Sequence, residues 1–328
     1  MAILETIRIK ASQRPRTIIL PESDDNRTID AVNIILDKRI AKITLIGREE
    51  IKKRIISRNA NEVTLIDPAT YAETDKMVAQ YYEMRKSKGM TEDEARQVVT
   101  GDYVTFGALL VRNGLADGFV AGANHTTPDV IRAALRCLSI DRSVGTVSGA
   151  FLMEVPNSPF GEKGVFIFAD CGVNPDPNAN QLAGIAISSA RLFKKLTGAE
   201  PRVALLSYSS KGSSGGEMVK KVVEAVKKAQ ESAPELIIDG EFQVDSALVQ
   251  EVARTKCAES PVAGRANVLI FPDLNSGNIS YKIVQRLANA RAVGPILQGF
   301  TKSCSDLSRG CIVDDIVDAA AITSLMAS

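Results

Sequence analysis

Residues 306–317 read DLSRGCIVDDIV, a serine, an arginine and a glycine directly ahead of two aspartates where the last helix is expected to begin. Gly310 would allow a bend that turns Ser308 and Arg309 outward. Asp314 and Asp315 would fall in the first turn of a helix carrying Ile316, Ala319 and Ala320 inward. A guanidinium is always ionised and presents a fixed fork of donors that matches a phosphate or an oxyanion. The simpler account is a helix start whose acids complement the helix dipole, at about 0.3 to 1 kcal/mol each, beside a surface arginine.

Three further stretches follow strand-like runs and carry ligand-type residues. AGANHTTPDVIRAALR (121–136) combines small residues with the hydroxyls of Thr126 and Thr127. A helix opening near Pro128, with Thr127 as its cap, would aim free N–H groups at an anion, and Arg132 follows in its first turns. An ordinary strand-to-helix turn accounts for the same residues. His125 reads as a hydrogen-bonded turn residue, because no serine or carboxylate partner can be assigned to it. LLSYSSKGSSGGEM (205–218) places Tyr208, Ser209, a lysine and glycines ahead of a helix, but not in the order of a P-loop, and a flexible loop explains it equally well. In IFPDLNSGNISYKIVQRL (270–287), Asn275, Ser276 and Asn278 surround Gly277 between strand and helix, where such residues either cap or bind.

The elements that must hold these stretches follow a βαβ rhythm. RTIILP, KITLIG, VTLID, GFVAG, VFIFAD, RVALLSYS, LIIDGEFQ, VLIFPDL and AVGPILQG are short apolar runs separated by helical-period segments. Runs apolar on both faces imply a largely parallel sheet covered by helices on both sides, a three-layer α/β/α arrangement. In such sheets ligands gather beyond the carboxyl ends of the strands. In GEMVKKVVEAVKKAQESAP, Met218, Val222, Ala225 and Ala229 recur at helical spacing and the lysines take the solvated face. Between Ser143 and Asp170, two strands joined by the turn-rich NSPFGEKG suit an antiparallel insertion and suggest a domain boundary near residue 145.

Composition narrows the function classes. A chain of 328 residues exceeds the usual size of one core, so two domains are expected. Forty basic against 39 acidic residues, without like-charge blocks, argue against a nucleic-acid partner. No run is long enough to span a membrane, and the N-terminal stretch lacks the pattern of a secretory leader, so a cytoplasmic protein is expected. The five cysteines are scattered and never spaced C-x-x-C, and there is one histidine, so reduced thiols and no structural metal are expected.

Taken in order, TIILPESDDNRT, YYEMRKSKGMT, AGANHTTPD, FIFADCGVNPDP, LLSYSSKGSSGG, IDGEFQVDSA, SPVAGRANVLIFPDLNSGNISYKIVQRLA and GPILQGFTKSCSDLSRGC resemble the phosphate acetyltransferases, or phosphotransacetylases, over essentially the whole chain. The resemblance implies reversible acetyl transfer between coenzyme A and inorganic phosphate, with coenzyme A as substrate and no tightly bound cofactor. It also implies a two-domain fold like that of isocitrate and isopropylmalate dehydrogenases, with the active site in the interdomain cleft. Residues 1–145 plus 300–328 would form a discontinuous first domain, and 146–299 an inserted second domain that carries dimerisation in a homodimer. By the same resemblance the catalytic arginine falls on Arg309, its neighbouring serine on Ser308 and the catalytic carboxylate on Asp315, while Arg85 and Arg132 fall on arginines associated with coenzyme A. The other candidate substrate contacts are Thr126, Thr127, Tyr208, Ser209, Asn275, Ser276 and Gly310.

These residue types fit such a reaction. A thiol sulfur attacks a carbonyl that bears a phosphate leaving group, and charge builds first on the carbonyl oxygen and then on phosphate. Arg309 suits both charges, and Ser308 can add a donor to the oxyanion, typically worth about 3 to 4 kcal/mol. Moving the thiol proton to an ordinary aspartate is uphill by about 6 kcal/mol, so burial of Asp315 combined with stabilisation of the thiolate by a nearby arginine is expected to help, the alternative being a proton that moves only as the carbon–sulfur bond forms. Cys311, beside Arg309, is expected to have a lowered pKa and could form an acetyl-enzyme, although coenzyme A already supplies a thiol. Competing readings are a phosphate butyryltransferase, a dehydrogenase holding a divalent metal on Asp314, Asp315 and Asp318, and a non-catalytic acyl-coenzyme A sensor.

Overall fold

Eleven strands are found among the described residues, 2–327 of the chain, in a computed structural model. They are β1 (Thr17–Leu20), β2 (Lys42–Ile46), β3 (Thr64–Ile66), β4 (Gly118–Ala121), β5 (Ser148–Glu154), β6 (Val165–Ala169), β7 (Arg202–Leu206), β8 (Ile237–Phe242), β9 (Val268–Ile270), β10 (Arg291–Gln298) and β11 (Ser303–Asp306). The helices are α1 (Ile3–Gln13), α2 (Asn26–Asp37), α3 (Thr74–Arg85), α4 (Glu92–Gly101), α5 (Tyr103–Arg112), α6 (Thr127–Cys137), α7 (Ala179–Thr197), α8 (Glu217–Ser232), α9 (Val244–Leu248), α10 (Gln250–Lys256), α11 (Leu274–Leu287) and α12 (Val313–Met326). They fall into two compact units, one made of the residues up to Ser139 together with those from Thr301 onward, the other Ile140–Phe300.

In the first unit the strand order is β3-β2-β1-β4-β11 and every pairing is parallel. The register sets Ile18 opposite Gly118 and Asp306 opposite Ala121, so the carboxyl ends of β1, β4 and β11 lie side by side. The strands are short and buried on both faces, as the apolar runs require. SCSD is the exception: it is polar, gave no strand signal, and is nevertheless a fully buried strand. The Ser305 hydroxyl finds its partner 18 residues on, where Oγ meets Thr323 Oγ1 at 2.8 Å.

The last helix, α12, returns to this unit and packs on α1. Its inward face includes Ile316, Ala319 and Ala320, as the spacing predicts, and also Asp318, which is fully buried. Arg8 on α1 donates from Nε to Asp318 at 2.6 Å and from Nη2 to Asp314 at 2.9 Å. A buried carboxylate that loses a paired cation stays desolvated while part of its charge compensation is gone. Arg8→Met is therefore expected to destabilise the protein by about 3 kcal/mol, measured by urea denaturation.

In the second unit the order is β10-β5-β6-β9-β7-β8. β5 is antiparallel to both β10 and β6, which is the reversal expected across NSPFGEKG, and the β6, β9, β7 and β8 pairings are parallel. Its core includes Phe151, Phe166, Phe168, Phe242 and Phe271, with Tyr281 stacked on Phe151 at 4.0 Å between ring centroids. α8 buries Val219, Val222, Ala225, Val226 and Ala229. Met218, assigned to the inner face by spacing, is exposed, because Val219 and Val226 complete the buried stripe one residue further round. Among the described residues no helix is long and apolar enough to cross a membrane.

Candidate active site

Three loops leave the aligned carboxyl ends of β1, β4 and β11, and hydrogen bonds tie them together. After β1, Pro21 leads to Glu22, whose carboxylate is almost completely buried. Glu22 Oε2 accepts from the backbone N–H groups of Gly122 and Ala123, both at 2.8 Å, and Oε1 from those of Asn124 at 2.8 Å and His125 at 2.9 Å. His125 Nδ1 adds a fifth contact at 2.8 Å. Burial pushes this carboxyl up. The His125 hydrogen bond and the N–H groups outweigh burial and leave its pKa below the ordinary value. His125 is raised by the same bond, against burial. It is the turn residue expected, and Glu22 is the carboxylate partner that could not be assigned from sequence.

Arg27, in the first turn of α2, joins the second loop to the third. Its guanidinium donates to Ala123 O at 2.9 Å, Arg309 O at 2.8 Å and Cys311 O at 2.9 Å, and is held by Asp25 at 2.6 Å. Neither Glu22 nor Arg27 was singled out from the sequence. The available signal was an acid immediately after an apolar strand run, in the position that ligand sites favour.

The third loop carries the SRG residues. Leu307 is buried, and Ser308, Arg309 and Gly310 are exposed in a turn closed by Cys311 N–H donating to Ser308 O at 2.8 Å. The Arg309 guanidinium has no hydrogen-bond or ion-pair partner among the described residues. Gly310 is not what makes the bend. Its φ is not in the left-handed region, and a Cβ there would meet only Ser308 Oγ at 3.8 Å, so the turn does not draw on the freedom that glycine offers. The glycine that geometry does demand is Gly122, at φ +113°, where a Cβ would run into the Asp306 carboxyl and into Leu307 N and O, both at 2.6 Å.

Asp315 lies in the first turn of α12, half-buried, and its Oδ2 accepts from Ile312 N–H at 3.0 Å, capping the helix. Cys311 departs from expectation. Burial outweighs Arg27 and, reinforced by Asp315, Asp25 and Glu22, pushes its thiol up to about 11 rather than down. Asp314 and Asp318 both pair with Arg8.

On α6 the cap is Thr126, not Thr127. Thr127 is the first helical residue, and its hydroxyl donates to Asp306 Oδ2. Arg132 is exposed and pairs with Asp129 at 2.7 Å. Arg85 ends α3, close to Tyr81 and to Cys137 of α6, and its buried Nε has no partner. An unpaired buried guanidinium N–H is costly and fits a group awaiting an acceptor.

The second unit's candidates hold their own loops. Tyr208 OH donates to Gly215 O at 2.8 Å, and Ser209 Oγ to Glu241 at 2.8 Å. Asn275 and Ser276 lie inside the first turn of α11, not in a loop ahead of it, and Asp273 caps the helix through Ser276 N–H.

Residues 2–324 match the family model described as "Phosphate acetyl/butaryl transferase". The chain is 48% identical over 328 residues to a phosphate acetyltransferase of Thermoanaerobacterium thermosaccharolyticum, covering 100% of both chains. It is equally 48% identical over 328 residues to one of Acetivibrio thermocellus, covering 100% of this chain and 98% of the relative. A solved phosphotransacetylase from Streptococcus pyogenes superposes with a TM-score of 0.92 at 39% identity, covering 99% of this chain and 98% of that one. The protein is therefore an α/β enzyme of the acyltransferase class. It belongs to the phosphate acetyl/butyryl transferase family.

Proposed function

We propose that the protein transfers an acetyl group reversibly between coenzyme A and inorganic phosphate, by direct attack within a ternary complex. The observation that carries this reading is the exposed Arg309 guanidinium, without a partner among the described residues, on a turn at the carboxyl edge of the parallel sheet, with Asp315 in the first turn of the helix that follows. In the direction of thiol attack, the coenzyme A sulfur bonds to the acetyl carbon and the bond from that carbon to the phosphate oxygen breaks. Phosphate leaves and the thiol proton passes to Asp315. Arg309 and Ser308 stabilise the carbonyl oxyanion and then the departing phosphate, an electrostatic contribution that grows only as charge develops.

The half-buried position of Asp315 favours thiolate stabilisation by arginine over a strongly desolvated base as the way to offset the unfavourable proton transfer. The raised Cys311 thiol favours direct attack over an acetyl-enzyme, because a protonated sulfur is a poor nucleophile. Arg85 and Arg132 are assigned to coenzyme A phosphates, with Thr126 and Thr127 at the neighbouring helix start. Acetyl is favoured over butyryl as the transferred group, because the relatives that share nearly half of the sequence are named for acetyl transfer. The pairing of Asp314 and Asp318 with Arg8 leaves the metal-dependent dehydrogenase reading without its ligand set.

The deciding experiment is release of free thiol from acetyl-coenzyme A as phosphate is varied, repeated with butyryl-coenzyme A. No phosphate-dependent release overturns the function, and faster turnover of butyryl overturns the chain preference. For the homodimer, α11 offers an exposed apolar row, Ile279, Ile283 and Leu287, at four-residue spacing. Light scattering of the wild type and of Ile283→Glu should give a dimer and a monomer respectively.

A further inference from the structure

Asp306 ends β11, two residues ahead of Ser308, and is completely sealed from solvent. A carboxylate in that position needs several donors or a cation, and Asp306 has neither. Its Oδ2 receives only the Thr127 hydroxyl, and Oδ1 has no hydrogen-bond partner of good geometry. Among the described residues no cationic group pairs with it. The N–H groups that could have served it, those of residues 122–125, all point at Glu22 instead. Gly122 stands between the two acids: its N–H faces Glu22, and its Cα face leaves the space that Asp306 occupies. Two buried acids thus sit under the same loops, one saturated with donors and the other nearly without.

We propose that Asp306 is a positioning residue that works in its neutral form, anchoring the root of the Ser308–Arg309 loop to the first residue of α6 through Thr127. With the proton on Oδ2, the contact runs as carboxyl O–H to Thr127 Oγ1. The partnerless Oδ1 is then a carbonyl oxygen, much cheaper to leave unpaired in the interior than a charged one. The division of states follows the environments, because groups pushed apart in this way take opposite protonation. Burial, helped by the Glu22 charge and opposed by Thr127 and Leu307, raises Asp306 to about 7, while Glu22 is held below the ordinary carboxylate value. The titratable groups facing this position are Glu22 from the loop after β1 and Cys304 on β11 itself, with His125 beyond Glu22. Cys304 is held far above neutrality by burial. The sign follows: the folded state binds the proton more tightly than the unfolded chain. The neutral form's stabilisation is complete below the unfolded value and disappears as pH rises through about 7. Above that, a second buried negative charge beside Glu22 draws the loop root toward Leu307 N–H and displaces Ser308 and Arg309.

The inference rests on the proposed acetyl transfer, and its test separates the two. Asp306→Asn is a neutral isostere that keeps the Thr127 contact, and Asp306→Ala removes it. We expect Asp306→Asn to lose no more than a few-fold in kcat near pH 6, and the ratio of its kcat to wild type to rise several-fold by about pH 8.5. Substrate ionisation and the His125 titration occur in both proteins and cancel in that ratio. Asp306→Ala should lose at least about tenfold in kcat, with little change in KM for acetyl-coenzyme A. A flat ratio overturns the proposal, as does an asparagine variant as impaired as the alanine variant at pH 6. If the alanine variant does not fold, the ratio alone decides. If the wild type shows no phosphate-dependent thiol release, the functional reading fails. Melting temperatures then decide the charge state: a wild type that loses stability relative to Asp306→Asn between pH 5.5 and 8 supports a neutral Asp306, and parallel curves overturn it.

Discussion

Arg309→Gln is expected to lower kcat by about a hundred- to a thousandfold in both directions of acetyl transfer, the loss typical of removing a principal donor to a developing oxyanion. Because the guanidinium acts on charge that appears only in the transition state, kcat and kcat/KM should fall together, with KM for acetyl-coenzyme A little changed. Arg309→Lys should recover only part of the loss: an ammonium supplies charge at a point but not the planar pair of donors that matches phosphate. The side chain is exposed and has no partner among the described residues, so the melting temperature of both variants should match wild type. Steady-state kinetics with varied phosphate and varied acetyl-coenzyme A, alongside thermal unfolding, makes the comparison. Full activity in the glutamine variant would remove Arg309 from the chemistry.

Asp315→Asn is expected to cost about a hundredfold or more in the direction of thiol attack, the usual scale for losing a positioned general base. Two roles of this residue can be separated. Asparagine retains an oxygen that can accept Ile312 N–H, so the start of α12 should survive with at most a few tenths of a kcal/mol lost. It cannot accept a proton at neutral pH, so the remaining activity should rise with pH as free thiolate becomes available from solution. A pH–rate profile of thiol attack on acetyl phosphate, set against circular dichroism of the variant, reads both effects. Unchanged activity with an intact helix would exclude the base role and leave Asp315 as a cap.

Most of the architecture was legible because it is written in short-range pattern. Apolar runs such as IILP, ITLI and FVAG mark strands buried on both faces, and the reversal around NSPFGEKG marks the antiparallel pair β5 and β6. Where that signal is weak, reading failed. SCSD carries no apolar run, yet it is a buried strand: Ser305 is matched by Thr323 and one carboxylate oxygen of Asp306 by Thr127. The spacing places Met218 in the α8 stripe where the structure has Val219, because alternatives 100° apart around a helix differ little in period.

The site divides along the same line. By itself the sequence determined which residue types were available and in which stretches: Ser308, Arg309 and Asp315 at the start of the last helix, and Thr126, Thr127 and Arg132 after the GFVAG strand. Tertiary structure alone decided that Glu22 would close on the loop 122–125, that Arg27 would reach carbonyls 282 and 284 residues away, and that Asp306 would meet Thr127 across 179 residues. The reason is physical. Periodicity and capping act over a turn or two of chain. Partners for buried charge are instead chosen by strand order, and a parallel sheet brings β1, β4 and β11 together at one edge however far apart they stand in the chain.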